Sequence, residues 1–171
     1  MAGESVKIFD KIKQYLVGDI ADIGCGDEPI TENAFGIDGR EFPCVKYLVD
    51  GLYGLPDKIG RRFDVVFSSH CLEHLPDAYK CVEEWGSLCK QDGYFILYLP
   101  DGSYYDNFEN KEHCHDTRYE QFMLWFKRVF CGEALNFKGE QYAPPVFELI
   151  ESGQDILEPD HYSFYIVARK L

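Results

Sequence analysis

The chain reads as an α/β domain: a doubly wound, mostly parallel sheet with an antiparallel hairpin at its C-terminal end. Three observations predict this. Seven short apolar runs have the length and residue content of strands. Amphipathic stretches of helical period alternate with several of them. Two of the runs, Phe63–Phe67 and Tyr94–Leu99, are nearly continuous in apolar residues, as strands covered on both faces are.

The elements follow in order. Ser5 to Val17 predicts a helix, with Ile8, Phe9, Ile12, Tyr15 and Leu16 at helical spacing, Ser5 as the cap and Gly18 as the stop. Strand-like runs follow at Asp19–Ile23, Ala34–Ile37, Tyr47–Val49 and Phe63–Phe67. Asp77–Lys90 predicts a helix whose stripe is Ala78, Cys81, Val82, Trp85, Leu88 and Cys89. After Tyr94–Leu99, a further helix starts near Thr117. There Thr117-Arg-Tyr-Glu120 fits a capping box, Phe122, Trp125, Phe126 and Val129 follow, and Gly132 ends the helix. Val146–Glu151 and Tyr162–Ala168 close the chain with no helix-length segment between them, which suits an antiparallel hairpin.

Composition narrows the function. The chain has 171 residues and a net charge of −13, from 30 acidic residues against 17 Lys+Arg. So acidic a surface repels phosphate backbones and anionic lipid, which argues against nucleic acid and membrane partners. No apolar run is long enough to cross a bilayer, and no signal peptide is visible at the N-terminus. Seven cysteines, none in a C-x-x-C pair, read as free thiols of a cytoplasmic protein.

The most informative segment is Asp19-Ile-Ala-Asp22-Ile-Gly24-Cys-Gly26-Asp27. A strand runs into a tight turn with two glycines, where a ligand can come close to the backbone. The next strand ends in Asp38 and the third in Asp50. A carboxylate at such a strand end can accept both hydroxyls of a ribose. A plain turn without a ligand leaves these acids unused. A dinucleotide fingerprint needs a third glycine, but Pro29 stands there, and Asp27-Glu28 would face the pyrophosphate. A nucleoside cofactor without phosphates tolerates acids near the turn.

Asp22-Ile-Gly-Cys-Gly26 resembles the first motif of class I S-adenosylmethionine-dependent methyltransferases. Phe63-Asp-Val-Val-Phe-Ser-Ser-His70-Cys-Leu-Glu73-His74-Leu resembles their fourth-strand segment, in the form found in the ubiquinone-methylase-like (type 11) group. Lys90-Gln-Asp-Gly93-Tyr-Phe-Ile-Leu resembles their fifth strand. The motifs keep family order and spacing. The resemblance implies one class I domain over residues 1–171, a Rossmann-like seven-stranded sheet and S-adenosylmethionine as cofactor. It also implies methyl transfer to an acceptor. Position by position, it implies that Gly24 and Gly26 approach the amino-acid half of the cofactor, with Asp22 holding the turn or the ammonium. Asp38 binds the ribose, Asp50 meets the adenine with Leu52 near the ring, and Ser69 and His70 lie beside the methionine portion. It further implies that Glu73 and His74 order the loop after the fourth strand. Gly26 and Asp38 stand so close in sequence that the first crossover helix is cut down or lost.

Methyl transfer from a sulfonium requires a positioned nucleophile and a proton acceptor. Histidine is the residue type suited to the second task near neutral pH. His70, His113 and His115 are the candidates for catalysis. The aromatic segment after the fifth strand is long for a connection, as lids and binding loops are. Its Tyr104, Tyr105, His113 and His115 are the candidate acceptor contacts. No metal is assigned: His113-Cys-His115-Asp116 offers only adjacent ligands, a poor start for a tetrahedron. The fourth strand lacks the Asp/Asn-Pro-Pro-Tyr pattern of amino-methylating DNA enzymes. The expected acceptor is a small molecule, at oxygen rather than nitrogen, such as a saccharide or nucleotide-sugar. The alternative is a cofactor-binding domain without catalysis that serves as a partner subunit; a nicotinamide oxidoreductase is the third reading.

Overall fold

A computed structural model describes residues 3–134, 138–139 and 144–171. Its strands are β1 (Ile20–Ile23), β2 (Phe35–Asp38), β3 (Val45–Leu48), β4 (Phe63–Ser69), β5 (Cys89–Pro100), β6 (Phe147–Asp155) and β7 (Ser163–Lys170). They form one sheet in the order β3-β2-β1-β4-β5-β7-β6. The pairs from β3 through β5 are parallel; β5–β7 and β6–β7 are antiparallel. The expected fold class is the observed one. Strand order reverses beside β1, so the C-terminal ends of β1 and β4 open a crevice, where α/β sheets place their ligands.

The helices are α1 (Glu4–Ile12), α2 (Leu55–Ile59), α3 (Ala78–Ser87) and α4 (Tyr119–Phe130). The last three share one face of the sheet. Leu55, Val82, Trp85, Phe122 and Phe126 sit there in a core with Phe63, Phe95 and Phe147. Trp85 is fully buried and donates its indole N–H to the Leu52 carbonyl at 2.9 Å. On the other face α1 brings Ile8 and Ile12 against Val65, Phe67, Ile96 and Val167.

That second face is the unusual one. Residues 24–34 join β1 to β2 with no helix; Ile30 and Ala34 cover the strands instead. Residues 39–44 join β2 to β3, and six residues reach at most about 20 Å. That suffices to recross a four-residue strand but leaves no chain for a helix. The short loop lies directly on the sheet: a Cβ at Gly36 would fall 2.7 Å from the Cys44 carbonyl oxygen. The reduced first crossover expected from sequence is thus present, and the second is reduced as well.

Four local expectations need correction. Ser5 lies inside α1, whose N-cap is Gly3, and the helix tightens into a 3-10 turn at Lys13–Tyr15 before Gly18 turns left-handed. The helix expected over Asp77–Lys90 runs from Ala78, with the Asp77 carboxylate accepting from the Lys80 N–H as its cap, and ends at Ser87. The Phe63 N–H binds the Leu88 carbonyl, which draws Cys89 and Lys90 into β5. Thr117 forms no capping box; its hydroxyl donates to the Pro100 carbonyl, and Arg118 is the N-cap of α4. Finally, α2 was not expected: it is a single turn bracketed by two left-handed glycines, Gly54 and Gly60.

Candidate active site

The turn after β1 carries two glycines with different tasks. Gly24 has φ +73° and donates to the Ile37 carbonyl at 2.8 Å. A Cβ there would lie 2.4 Å from the Cys71 sulfur. Its constraint is the protein's own packing. Gly26 has φ +56°, and a Cβ there would meet nothing within 4 Å. Its N–H donates to Asp38 Oδ2 at 2.9 Å, and the Arg40 N–H donates to Oδ1 at 2.8 Å. Asp38 is therefore buried at the mouth of the turn, with each oxygen holding one protein donor and a lone pair to spare.

Asp22 lies below them, 1% exposed, accepting the Ile30 N–H at 2.6 Å. That bond ties down the loop that replaces the first crossover helix. Burial, with a smaller contribution from the Asp38 charge, pushes its carboxyl up to about 7. Asp50 is exposed just past β3, and Leu52 is half-buried above Trp85.

At the end of β4 the chain makes a strained turn. His70 has φ +46°, uncommon for any residue but glycine and a frequent mark of functional sites. Its ring Nε2 lies 2.9 Å from the Ser163 hydroxyl, and its edge meets the rings of Tyr98 and Tyr162. Burial holds its imidazole down to about 3, so it stays neutral across the physiological range. Ser69, just before it, has a buried hydroxyl with no partner among the described residues.

Glu73 follows on a 3-10 turn, Leu72–His74, fully buried, with neither carboxylate oxygen hydrogen-bonded among the described residues. Burial pushes its carboxyl up to about 8. Three imidazoles face one of its oxygens: His70 Nδ1 at 3.7 Å, His74 Nε2 at 3.9 Å and His113 Nε2 at 4.0 Å. Glu4 on α1 approaches His70 from the other side at 3.6 Å.

The loop of residues 101–118 roofs this cluster. The Cys114 N–H donates to the Glu73 carbonyl at 2.7 Å, which pins the loop to the 3-10 turn. The structure separates the four loop candidates. His113 turns inward, its ring centroid 4.6 Å from that of His74. Tyr105 stacks on Tyr162 at 4.6 Å and lies 6.4 Å from His113. Tyr104 is exposed. His115 turns away, its Nε2 2.8 Å from the Leu75 carbonyl, where it lines a cavity of about 220 Å³ with Leu72, Arg118, Phe122 and Trp125. Glu4, Glu73, Tyr162 and Ser163 were not singled out from sequence as chemical residues. Only Glu73 carries a local signal, an acid inside an apolar turn between two histidines.

Residues 21–97 match the family model of a methyltransferase domain. No curated protein matches the chain by sequence. Solved structures do match it. A Burkholderia thailandensis 1,6-didemethyltoxoflavin-N1-methyltransferase, solved with 1,6-didemethyltoxoflavin and S-adenosylhomocysteine, superposes with TM-score 0.68 at 16% identity, over 99% of this chain and 79% of that one. Magnesium protoporphyrin IX methyltransferase from Synechocystis PCC 6803, solved with S-adenosylmethionine, gives 0.60 at 15%, over 98% and 77%. A SAM-dependent methyltransferase from Archaeoglobus fulgidus gives 0.62 at 15%, over 98% and 95%. The open face of Gly26 and the spare lone pairs of Asp38 fit a nucleoside-bearing ligand of this kind. Residues 21–97 thus match the methyltransferase domain family, and the whole chain shares its fold with solved S-adenosylmethionine-dependent methyltransferases.

Proposed function

We propose that the protein methylates a hydroxyl of a small molecule held between the end of β4 and the loop of residues 101–118. One observation supports this reading: the end of β4 gathers buried polar atoms with no hydrogen bond among the described residues, on Ser69, Glu73, His113 and Glu4. Such atoms are costly to bury and are retained where a ligand completes them. They lie beneath a loop and α1 rather than on an open surface, which favours a small acceptor over a polymer. The net charge of −13 also opposes a phosphate backbone.

The geometry supports a division of labour. The Gly26 backbone face and Asp38 bind the donor, and Ser69 supplies a hydroxyl donor beside it. Asp50 and Leu52 stand at the β3 end, toward the adenine. When bound, S-adenosylmethionine supplies a methyl already activated on a positive sulfur. His70, held neutral between Ser163 and Tyr162, positions the acceptor rather than taking its proton. The proton goes to the cluster of Glu73, His74 and His113. Tyr105 covers that cluster, Tyr104 meets the acceptor's outer end, and His115 lines the adjoining apolar cavity.

The test uses methyl-labelled donor with acceptors of different classes: hydroxylated small molecules, saccharides, amines, RNA and protein. Label should enter a small-molecule hydroxyl. His113→Ala should lower that turnover on the order of a hundredfold and leave donor affinity unchanged. Label found only in RNA or protein would overturn the small-molecule reading.

A further inference from the structure

We propose that Glu73, His74 and His113 bind one divalent transition-metal ion of the zinc class. Their ligand atoms all lie within 4.8 Å of one another. Two imidazoles and one carboxylate are a set that zinc, iron and cobalt ions accept.

The argument starts from Glu73. A fully buried carboxylate with no hydrogen bond among the described residues needs a cation or a donor to offset its lost hydration. No described lysine or arginine pairs with it; the groups facing it are imidazoles, and they stand off rather than bond. His74 Nε2 and His113 Nε2 lie 3.9 and 4.0 Å from the same oxygen, beyond hydrogen-bond reach. Ligands about 2.1 Å from a tetrahedral ion stand about 3.4 Å apart, so small side-chain movements bring these three to coordination.

The surroundings are those of a prepared site. His74 Nδ1 lies 3.3 Å from the Glu112 carbonyl, and a carbonyl only accepts. The proton therefore sits on Nδ1, leaving the Nε2 lone pair toward Glu73, the tautomer that ligation requires. His113 arrives from a chain segment far along the sequence, yet two bonds fix its approach. The Cys114 N–H donates to the Glu73 carbonyl, and the Cys114 thiol donates to the His74 carbonyl at 3.3 Å. Adjacent residues of the loop cannot form the site among themselves, since His115 is committed to Leu75. Only the fold brings His113 to the Glu73-His74 pair.

Ion binding stands on this geometry alone. Its catalytic meaning rests on the acceptor site proposed above. There, with an ion bound, the three side chains would act as ligands instead of proton acceptors: an open coordination position would take the acceptor hydroxyl and lower its pKa, the proton leaving to solvent before the oxygen attacks the methyl.

The experiment uses full-length protein without a histidine tag, stripped with a chelator and dialysed. Zinc is titrated calorimetrically, and cobalt is followed by its visible absorption. One ion per chain is expected, with a rise in melting temperature on zinc addition. Glu73→Gln and His113→Ala should each weaken binding by more than about a hundredfold. His115→Ala should bind as the parent does. No stoichiometric ion on the parent protein overturns the proposal, whatever the variants do; so does full binding by both ligand variants. S-adenosylhomocysteine binding to the stripped protein is measured alongside. Its loss would count against the methyl-donor site, and metal binding without any effect on turnover would count against the acceptor reading alone.

Discussion

Alanine at Gly26 should leave the fold close to intact and cripple donor binding, while alanine at Gly24 should damage the fold itself. Both glycines are left-handed, so any Cβ costs about 1–2 kcal/mol in either place. Beyond that they diverge. At Gly24 the new methyl collides with the sulfur and Cβ of the buried Cys71, whose own neighbours leave it little room. Overpacking of that kind adds about 1–3 kcal/mol, for a total of about 2–5 kcal/mol. For a chain of this size that is a fall in melting temperature of roughly 4–20 °C. At Gly26 the methyl meets no atom of the described residues within 4 Å. It occupies the space into which the donor must settle, so the same crowding falls on the ligand and weakens binding roughly tenfold to a hundredfold or more. Thermal melts and titration with S-adenosylhomocysteine separate the two. A Gly26→Ala protein that binds like the parent would show that the ligand does not rest on this turn.

Asp22→Asn should flatten the dependence of stability on pH between about 4 and 7. Asp22 is raised by burial from an ordinary 3.8 to about 7 in the folded chain. The folded state therefore keeps a proton that the unfolded state releases. Stability is undiminished below about pH 4, falls as pH rises toward 7, and is fully diminished above that. Integrated over that window the loss is on the order of 4 kcal/mol. Asparagine has no proton to lose, and its side-chain oxygen can still accept the Ile30 N–H. The variant should gain on the parent as pH rises, read as the difference in denaturant midpoint at several pH values. The same proton predicts a binding effect. A cationic donor favours the ionised carboxylate, so parent affinity should rise through pH 7 and variant affinity should not. Parallel stability curves for the two proteins would mean that Asp22 is ionised throughout.

Much of this was legible in the sequence, for identifiable reasons. The buried strands announce themselves because β4 and β5 are covered on both faces and read as apolar runs. The glycine turn and Asp38 are legible because unusual φ and a buried strand-end acid have few substitutes. The helix ends were less so. Thr117 has the composition of a cap, yet its hydroxyl is taken by Pro100, a partner supplied by the fold. Helix α2 is too short for periodicity to register. In the site, the histidines of the loop look equivalent in sequence, and only tertiary contact tells His113 from His115. The Glu73 cluster draws on α1, the 3-10 turn, the loop and the β6–β7 hairpin. No local pattern records that meeting.

The most direct test of the donor site is calorimetric titration with S-adenosylhomocysteine, run in parallel with NAD on the parent protein and on Asp38→Ala. One S-adenosylhomocysteine per chain is expected, with NAD far weaker. Loss of a charge-assisted pair worth about 1.5–3 kcal/mol should weaken the folded variant tenfold to a hundredfold. Tight NAD binding with no response to S-adenosylhomocysteine, or an unchanged affinity in Asp38→Ala, would contradict the assignment of this turn and this acid to the methyl donor.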